Sequence, residues 1–238
     1  MTVLLLRHGR STSNTAHTLA GRSEGVDLDD RGREQAEALV DRIGSLPIRA
    51  IVRSPLLRCE RTVEPLAAAL GLEPVVDERI SEVDYGTWTG RKIGELVKEP
   101  LWAVVQQQPS AAVFPEGEGL AGVQARAVAA VREHDRVLAD RHDGDVLWIA
   151  CTHGDVIKAV LADALGTHLD SFQRINADPA SVSVIRYTAV RPFVIHVNHT
   201  GSALNSALSA TPTETTSQDG SQGSQVPTGE AVVGGSTE

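Results

Sequence analysis

A chain of 238 residues that is 41% hydrophobic can build one α/β domain with a substantial core, and its net charge of −9 marks an acidic globular protein. That balance excludes a general nucleic-acid-binding face or an anionic-membrane face, so basic residues are read as local anion sites. Two cysteines, Cys59 and Cys151, with no CxxC pair exclude a disulfide framework, and the absence of a long apolar run or a signal-peptide pattern makes cytoplasmic the expected location.

Val3-Leu4-Leu5-Leu6 is a short apolar run that ends abruptly in Arg7-His8-Gly9, the pattern of a buried parallel strand with polar groups at its carboxyl end. Arg offers a bidentate fork for an oxyanion, and a neutral imidazole can act as a nucleophile. Gly9 lets the backbone approach a ligand closely, and Asn14 adds an amide to the same loop. Asp29 or Asp30 is expected to cap a helix running through Gly44, with Ala36, Leu39, Val40 and Ile43 at helical spacing.

Ala50-Ile51-Val52 reads as a second strand, followed by Ser54 as a natural N-cap and Pro55 at the first helical position. Arg58 then falls in the first turn of that helix; taken alone it reads as a solvated helix arginine. Pro74-Val75-Val76 reads as a third strand. Glu82 is either a surface carboxylate or a buried acid facing the site, and Tyr85-Gly86-Thr87-Trp88-Thr89-Gly90 suggests a tight, packed loop.

Residues 91–118 read as one or two short helices broken by Pro100, Pro109 and Pro115, with Trp102, Val104, Val105 and Phe114 available to cover a pocket. Gly119 to Arg141 is the clearest helix. Val146 to Cys151 is another buried-strand pattern, ending in Thr152-His153-Gly154, so two apolar strands stop at a His-Gly pair. A helix over Val156 to Leu165 and two strands, Ser181 to Tyr187 and Phe193 to Val197, complete the sheet, with Pro192 in a turn or at an edge. From Ser202 the composition turns to Ser, Thr, Gly, Gln and Pro, and 208–238 is expected to be a disordered tail.

These motifs, in this order, resemble the histidine phosphatase superfamily with its phosphoglycerate mutase-like fold. The resemblance covers roughly residues 1–200: Leu6-Arg7-His8-Gly9 with Asn14; Ser54-Pro55-Leu56-Leu57-Arg58 with Thr62; Glu82 with the Tyr85 to Gly90 loop; Pro115-Glu116-Gly117-Glu118; and Thr152-His153-Gly154. It implies a three-layer αβα sandwich with a mainly parallel central sheet, a domain over 1–207 and an insertion, or lid, at about 91–118. It also implies that His8 becomes phosphohistidine, that Arg7, Arg58 and His153 hold the transferring phosphoryl group with Asn14 assisting, and that Glu82 is the general acid. Arg58 thereby moves from surface residue to ligand.

No metal or other cofactor is expected, because two histidines without an accompanying cluster of Asp, Glu or Cys ligands are a poor metal site. His17, His134, His142 and His168 read as surface or helix-end residues, and His196 and His199 as packing or substrate-side contacts. The expected partner is a small phosphorylated substrate, with a homodimer possible and neither nucleic acid nor membrane involved.

Three positions depart from the family pattern. Arg10 stands where the family commonly has an acidic or small residue, so it either favours a second anionic group on the substrate or pairs with a carboxylate. Ala20 replaces a frequent hydroxyl residue before Gly21, and Gly119 a frequent Ser after the Gly-Glu pair. Arg10, Ser11, Gly21 and Arg22 are the candidate substrate contacts. Residues 99–118 contain no Lys or Arg, unlike the arginine-rich segment of glycolytic mutases, which points to the phosphatase branch. A phosphomutase is the alternative, and a non-catalytic phosphate-binding module a third.

Overall fold

The computed structural model describes residues 1–142 and 145–201. The tail expected at 208–238 and the last residues of the domain expected at 1–207 lie outside the described residues. In chain order the elements are β1 (Thr2–Arg7), α1 (Thr12–Thr15), α2 (Asp30–Ile43), β2 (Ile48–Arg53), α3 (Leu57–Leu70), β3 (Val75–Val76), α4 (Ile93–Leu96), α5 (Pro100–Gln107), α6 (Leu120–Arg141), β4 (Leu147–Thr152), α7 (Gly154–Ala164), β5 (Val182–Tyr187) and β6 (Pro192–His199). Short 3₁₀ turns at Glu78–Ile80, Gly86–Trp88, Pro109–Ala111 and Leu169–Arg174 fill the connections.

The strands form one sheet in the order β3-β2-β4-β1-β5-β6. The first four positions are mutually parallel, while β5 runs antiparallel to both β1 and β6. Side-chain alternation divides the core between the two faces. Val3 and Leu5 of β1, with Trp148 and Ala150 of β4, face one cluster containing Val123, Ala127 and Val131 of α6 and most of α7. Leu4 and Leu6, with Ile149 and Cys151, face the other, against Leu39 and Ile43 of α2 and Val63 and Leu66 of α3. Helices on both faces of a mainly parallel sheet make the expected three-layer αβα sandwich. Each such apolar side chain taken fully out of water contributes about 1.5–3 kcal/mol, which is why these strands read as unbroken apolar runs.

Local signals placed most element ends. Asp29 caps α2 by accepting from the Gly32 N–H at 2.7 Å, and Gly44 closes it. Pro192 opens the edge strand β6. Pro100 starts α5 rather than breaking a helix, because its missing N–H costs nothing at the first helical position.

Two local expectations need correction. Ser54 does not cap α3 and Pro55 is not its first helical residue. The helix begins at Leu57 after the cap residue Leu56, which makes no side-chain bond, while the Ser54 hydroxyl lies 2.7 Å from His153 and accepts from the Leu56 N–H at 3.4 Å. The apolar side chains of the insertion mostly enter the core instead of covering a pocket. Trp102, Val105 and Phe114 are buried, with Trp88 stacked on Trp102 at 6.3 Å between ring centroids and meeting Phe114 edge-on at 5.3 Å. No helix among the described residues is long and apolar enough to cross a membrane.

Candidate active site

Three neighbouring parallel strands, β2, β4 and β1, deliver their carboxyl ends to one place, where open α/β sheets bind ligands. Register does the aligning. Arg7 pairs with Thr152, Arg53 pairs with Cys151, the His8 N–H donates to the Thr152 carbonyl at 3.0 Å, and the Ser54 N–H donates to the Cys151 carbonyl at 2.9 Å. His8, Ser54 and His153 are thus the first residues past three adjacent strands, and the rings of His8 and His153 lie 5.2 Å apart between centroids.

The His8 Nδ1 atom is 2.8 Å from the Gly9 carbonyl, which can only accept, so the proton sits on Nδ1 and the lone pair on Nε2. Arg58 donates from Nε to that Nε2 at 3.3 Å. The arginine is buried in the first turn of α3 and donates from Nη2 to the Gly21 carbonyl at 2.8 Å. Nη2 is also 3.2 Å from His153 Nδ1. Its Nη1 has no hydrogen-bond partner among the described residues, so a buried guanidinium keeps donors suited to an oxyanion.

Arg7 is fully buried and donates to the Ala177 carbonyl at 2.7 Å. Thr62 ties the pieces together, accepting from the Gly9 N–H at 2.9 Å and donating to the Arg58 carbonyl at 2.6 Å.

Burial and two guanidiniums set the charge states. Desolvation first, then Arg58 and Arg7, holds His8 well below the ordinary imidazole value, although its bond to Gly9 pulls the other way. His153 is lowered by burial and then by Arg58, for the same reasons. Glu82 is buried within 3.9 Å of His153 Nδ1, and its pKa is pushed up to about 7. Desolvation is the largest cause and the Asp155 carboxylate adds to it, outweighing Arg58, Arg7 and the Val83 N–H. Asp155 is itself fixed by the Tyr85 hydroxyl at 2.8 Å and by Lys158 at 3.5 Å. Below neutrality the site therefore presents two arginine cations, neutral imidazoles and a protonated carboxyl to any anion that enters.

The structure brings Arg7, His8, Arg58, Glu82 and His153 together. It places the other candidates as follows. The Asn14 Oδ1 accepts from the backbone N–H and the hydroxyl of Ser11, which fixes both residues at the start of α1. Arg10 pairs with Asp29 at 2.6 Å, the second of its two expected roles. Gly21 has a positive φ of 51° and supplies the carbonyl that holds Arg58. Arg22 binds Glu118 at 2.8 Å and the Glu82 carbonyl at 2.9 Å. The close approach of Gly9 is to α2: a Cβ there would meet the Gly32 carbonyl at 2.7 Å.

Tyr85 opens the Tyr85–Gly90 loop, but nothing in the chain shows that its hydroxyl reaches Asp155, and Asp155 itself is signalled only by lying two residues beyond His153.

A family model described as histidine phosphatase superfamily (branch 1) matches residues 3–200. The chain belongs to the histidine phosphatase superfamily. Members of this superfamily are phosphatases or phosphomutases, and the relatives carry both names. Phosphoserine phosphatase 1 of Hydrogenobacter thermophilus is 29% identical over 206 residues, covering 83% of this chain and 92% of its own length. A probable phosphoglycerate mutase, GpmB, of Erwinia tasmaniensis is 28% identical, covering 76% and 82%. The solved structure of YhfR from Bacillus stearothermophilus superposes with a TM-score of 0.75 at 27% identity, covering 83% of this chain and 96% of that one. The superfamily fold and the observed sandwich agree.

Proposed function

We propose that this histidine phosphatase superfamily member is a phosphomonoester hydrolase that acts on a small phosphorylated metabolite through a phosphohistidine at His8. The reading rests on one observation: His8 Nε2, a lone pair on a neutral buried imidazole, lies among Arg58, Arg7 and His153 with the protonated Glu82 beside them.

In the first step the His8 Nε2 lone pair forms a bond to phosphorus as the ester P–O bond breaks. The departing oxygen takes the Glu82 proton. In the second, the Glu82 carboxylate takes a proton from water, the oxygen of that water bonds to phosphorus, and the P–N electron pair returns to Nε2 with release of inorganic phosphate. Charge spread over the three equatorial oxygens is met by Arg7 and Arg58, the positioning and electrostatic work that dominates phosphoryl transfer. His153 assists from Nδ1. The hydroxyl of Ser54 on its other nitrogen can donate or accept, and so tolerates either tautomer.

Hydrolysis is favoured over mutase chemistry by the placement of the cations. Arg10 and Arg22, the two arginines among the candidate substrate contacts, are both engaged by carboxylates of the chain itself, and 99–118 contains no Lys or Arg. The name of the Hydrogenobacter relative makes phosphoserine one substrate to try.

The test is a panel of phosphoserine, phosphoglycerates, phosphosugars, nucleotides and phosphopeptides, with and without a bisphosphoglycerate primer, combined with rapid quench. Primer-independent release of phosphate and an acid-labile, base-stable phosphoenzyme that disappears in His8→Ala are expected. Primer-dependent isomerisation would make the chain a mutase, and an active His8→Ala would end the reading.

A further inference from the structure

The stretch that carries Glu82 lies between two 3₁₀ turns, Glu78–Ile80 and Gly86–Trp88, with no strand or helix to hold it. It is held instead by a residue of α6. A guanidinium has five N–H donors, and those of Arg126 are all used. Nε and Nη2 form a fork onto the Oε1 and Oε2 atoms of Glu118, each at 2.9 Å. Nη1 donates to the carbonyls of Arg79 at 2.7 Å and Ser81 at 2.8 Å, and Nη2 also reaches the Glu82 carbonyl at 3.1 Å.

Glu118 closes the arrangement. Its Oε2 accepts from the Asp84 N–H at 3.0 Å and from Arg22 Nη2 at 2.8 Å, and its own N–H donates to the Asp84 carbonyl at 2.8 Å. Arg22 Nε adds a second donor to the Glu82 carbonyl at 2.9 Å. Backbone groups of residues 79, 81, 82 and 84 are thus tied to one ion-paired cluster, half-buried and so less screened than a surface pair.

We propose that Arg126, with Glu118 and Arg22, is a positioning residue for the Glu82 carboxyl: it fixes the main chain from which that acid reaches the leaving-group oxygen. Among the described residues the cluster makes no hydrogen bond to His8, Arg58 or His153, so its loss should be felt at the proton-transfer step before the phosphate-holding step. The proposal rests on the reading of Glu82 as proton donor. Misplacing a reacting group by about 1 Å costs on the order of 10²-fold in rate.

The experiment uses the full chain with Arg126→Met, which removes all five donors but keeps the stem, and Glu118→Gln, which keeps the shape but weakens the fork. Each is made alone and in the Glu82→Gln background. Burst and steady-state rates are read on glycerol phosphate and p-nitrophenyl phosphate, with vanadate binding as a check on the phosphate-holding groups. We expect about a 10²-fold loss on the alkyl ester, a burst on the aryl ester within a few-fold of wild type, unchanged vanadate affinity, and no added loss in the Glu82→Gln background. Equal losses on both esters, or a full added loss in Glu82→Gln, would overturn the proposal. Should Arg126→Met fail to fold, Glu118→Gln carries the same comparison. Equal losses on the two esters for Glu82→Gln alone would instead remove Glu82 as the donor, and the proposal with it.

Discussion

The Oε2 atom of Glu82 stands 3.9 Å from His153 Nδ1, yet the two do not form an ion pair over most of the pH range. Burial raises the carboxyl to about 7, helped by Asp155, while burial, Arg58 and neighbouring charges push the imidazole well below its ordinary value. A neutral acid beside a neutral imidazole is the form stable below neutrality, and a proton held near 7 can be given and taken back at physiological pH.

That pairing predicts the pH dependence of turnover. His8 must be unprotonated, which its lowered pKa permits well below pH 6.5, and Glu82 must be protonated, which holds up to about 7. The profile of kcat/KM should have a mildly acidic plateau and an alkaline limb near 7. Glu82→Gln should abolish that limb and lower kcat on alkyl phosphates by roughly 10²–10⁴-fold. An alkaline limb that survives in Glu82→Gln belongs to another group.

Gly21 offers a test of how Arg58 is held. Its φ of +51° is strained for any residue with a Cβ, and a Cβ there would meet Thr89 Oγ1 at 2.8 Å. Gly21→Ala should therefore lose about 1–2 kcal/mol of stability. Because the Gly21 carbonyl accepts from Arg58 Nη2, it should also weaken vanadate binding, measured by titration. Stability lost with vanadate affinity intact would mean that Arg58 does not depend on this carbonyl.

Acid should unfold the protein through its buried histidines. The pKa values of His8 and His153 are lowered in the native state, so between pH 6.5 and their native values the unfolded chain binds more protons and stability falls as pH falls. Glu82 acts in the opposite sense, being protonated in the native state from about 7 but in the unfolded chain only near 4.5. Two histidines against one carboxyl leave a net loss of stability on acidification below pH 6.5. A denaturant series from pH 7 to 5 reads it directly, and a midpoint that rises over that span would contradict the assignment of both imidazoles as buried and neutral.

Whatever depends on a few consecutive residues was legible in the chain. The apolar runs of β1, β2 and β4 predict buried parallel strands because a strand covered on both faces needs apolar side chains at every position. Asp29 and Gly44 predict the ends of α2 because capping is a bond between a side chain and a backbone three residues away. The order of the motifs was enough to suggest the family, and with it the five residues that meet at the strand ends.

Tertiary structure decided the rest, for a reason visible in particular residues. Ser54 has the chemistry of a helix cap, but the register of β2 on β4 sets its hydroxyl against His153, 99 residues away, and the helix starts later. Arg58 by itself is indistinguishable from a solvated helix arginine until Gly21, His8 and His153 close around it. Arg10 and Arg22 carry charges that the chain shows and partners that it does not: Asp29 and Glu118 become their neighbours only when the chain folds back on itself. The elevated proton affinity of Glu82 is the clearest instance, since burial and a nearby Asp155 carboxylate are properties of the assembled site. Local order follows from short-range bonds and side-chain periodicity, whereas burial and charge pairing are set by contacts between residues remote along the chain, which neither capping signals nor periodicity encodes.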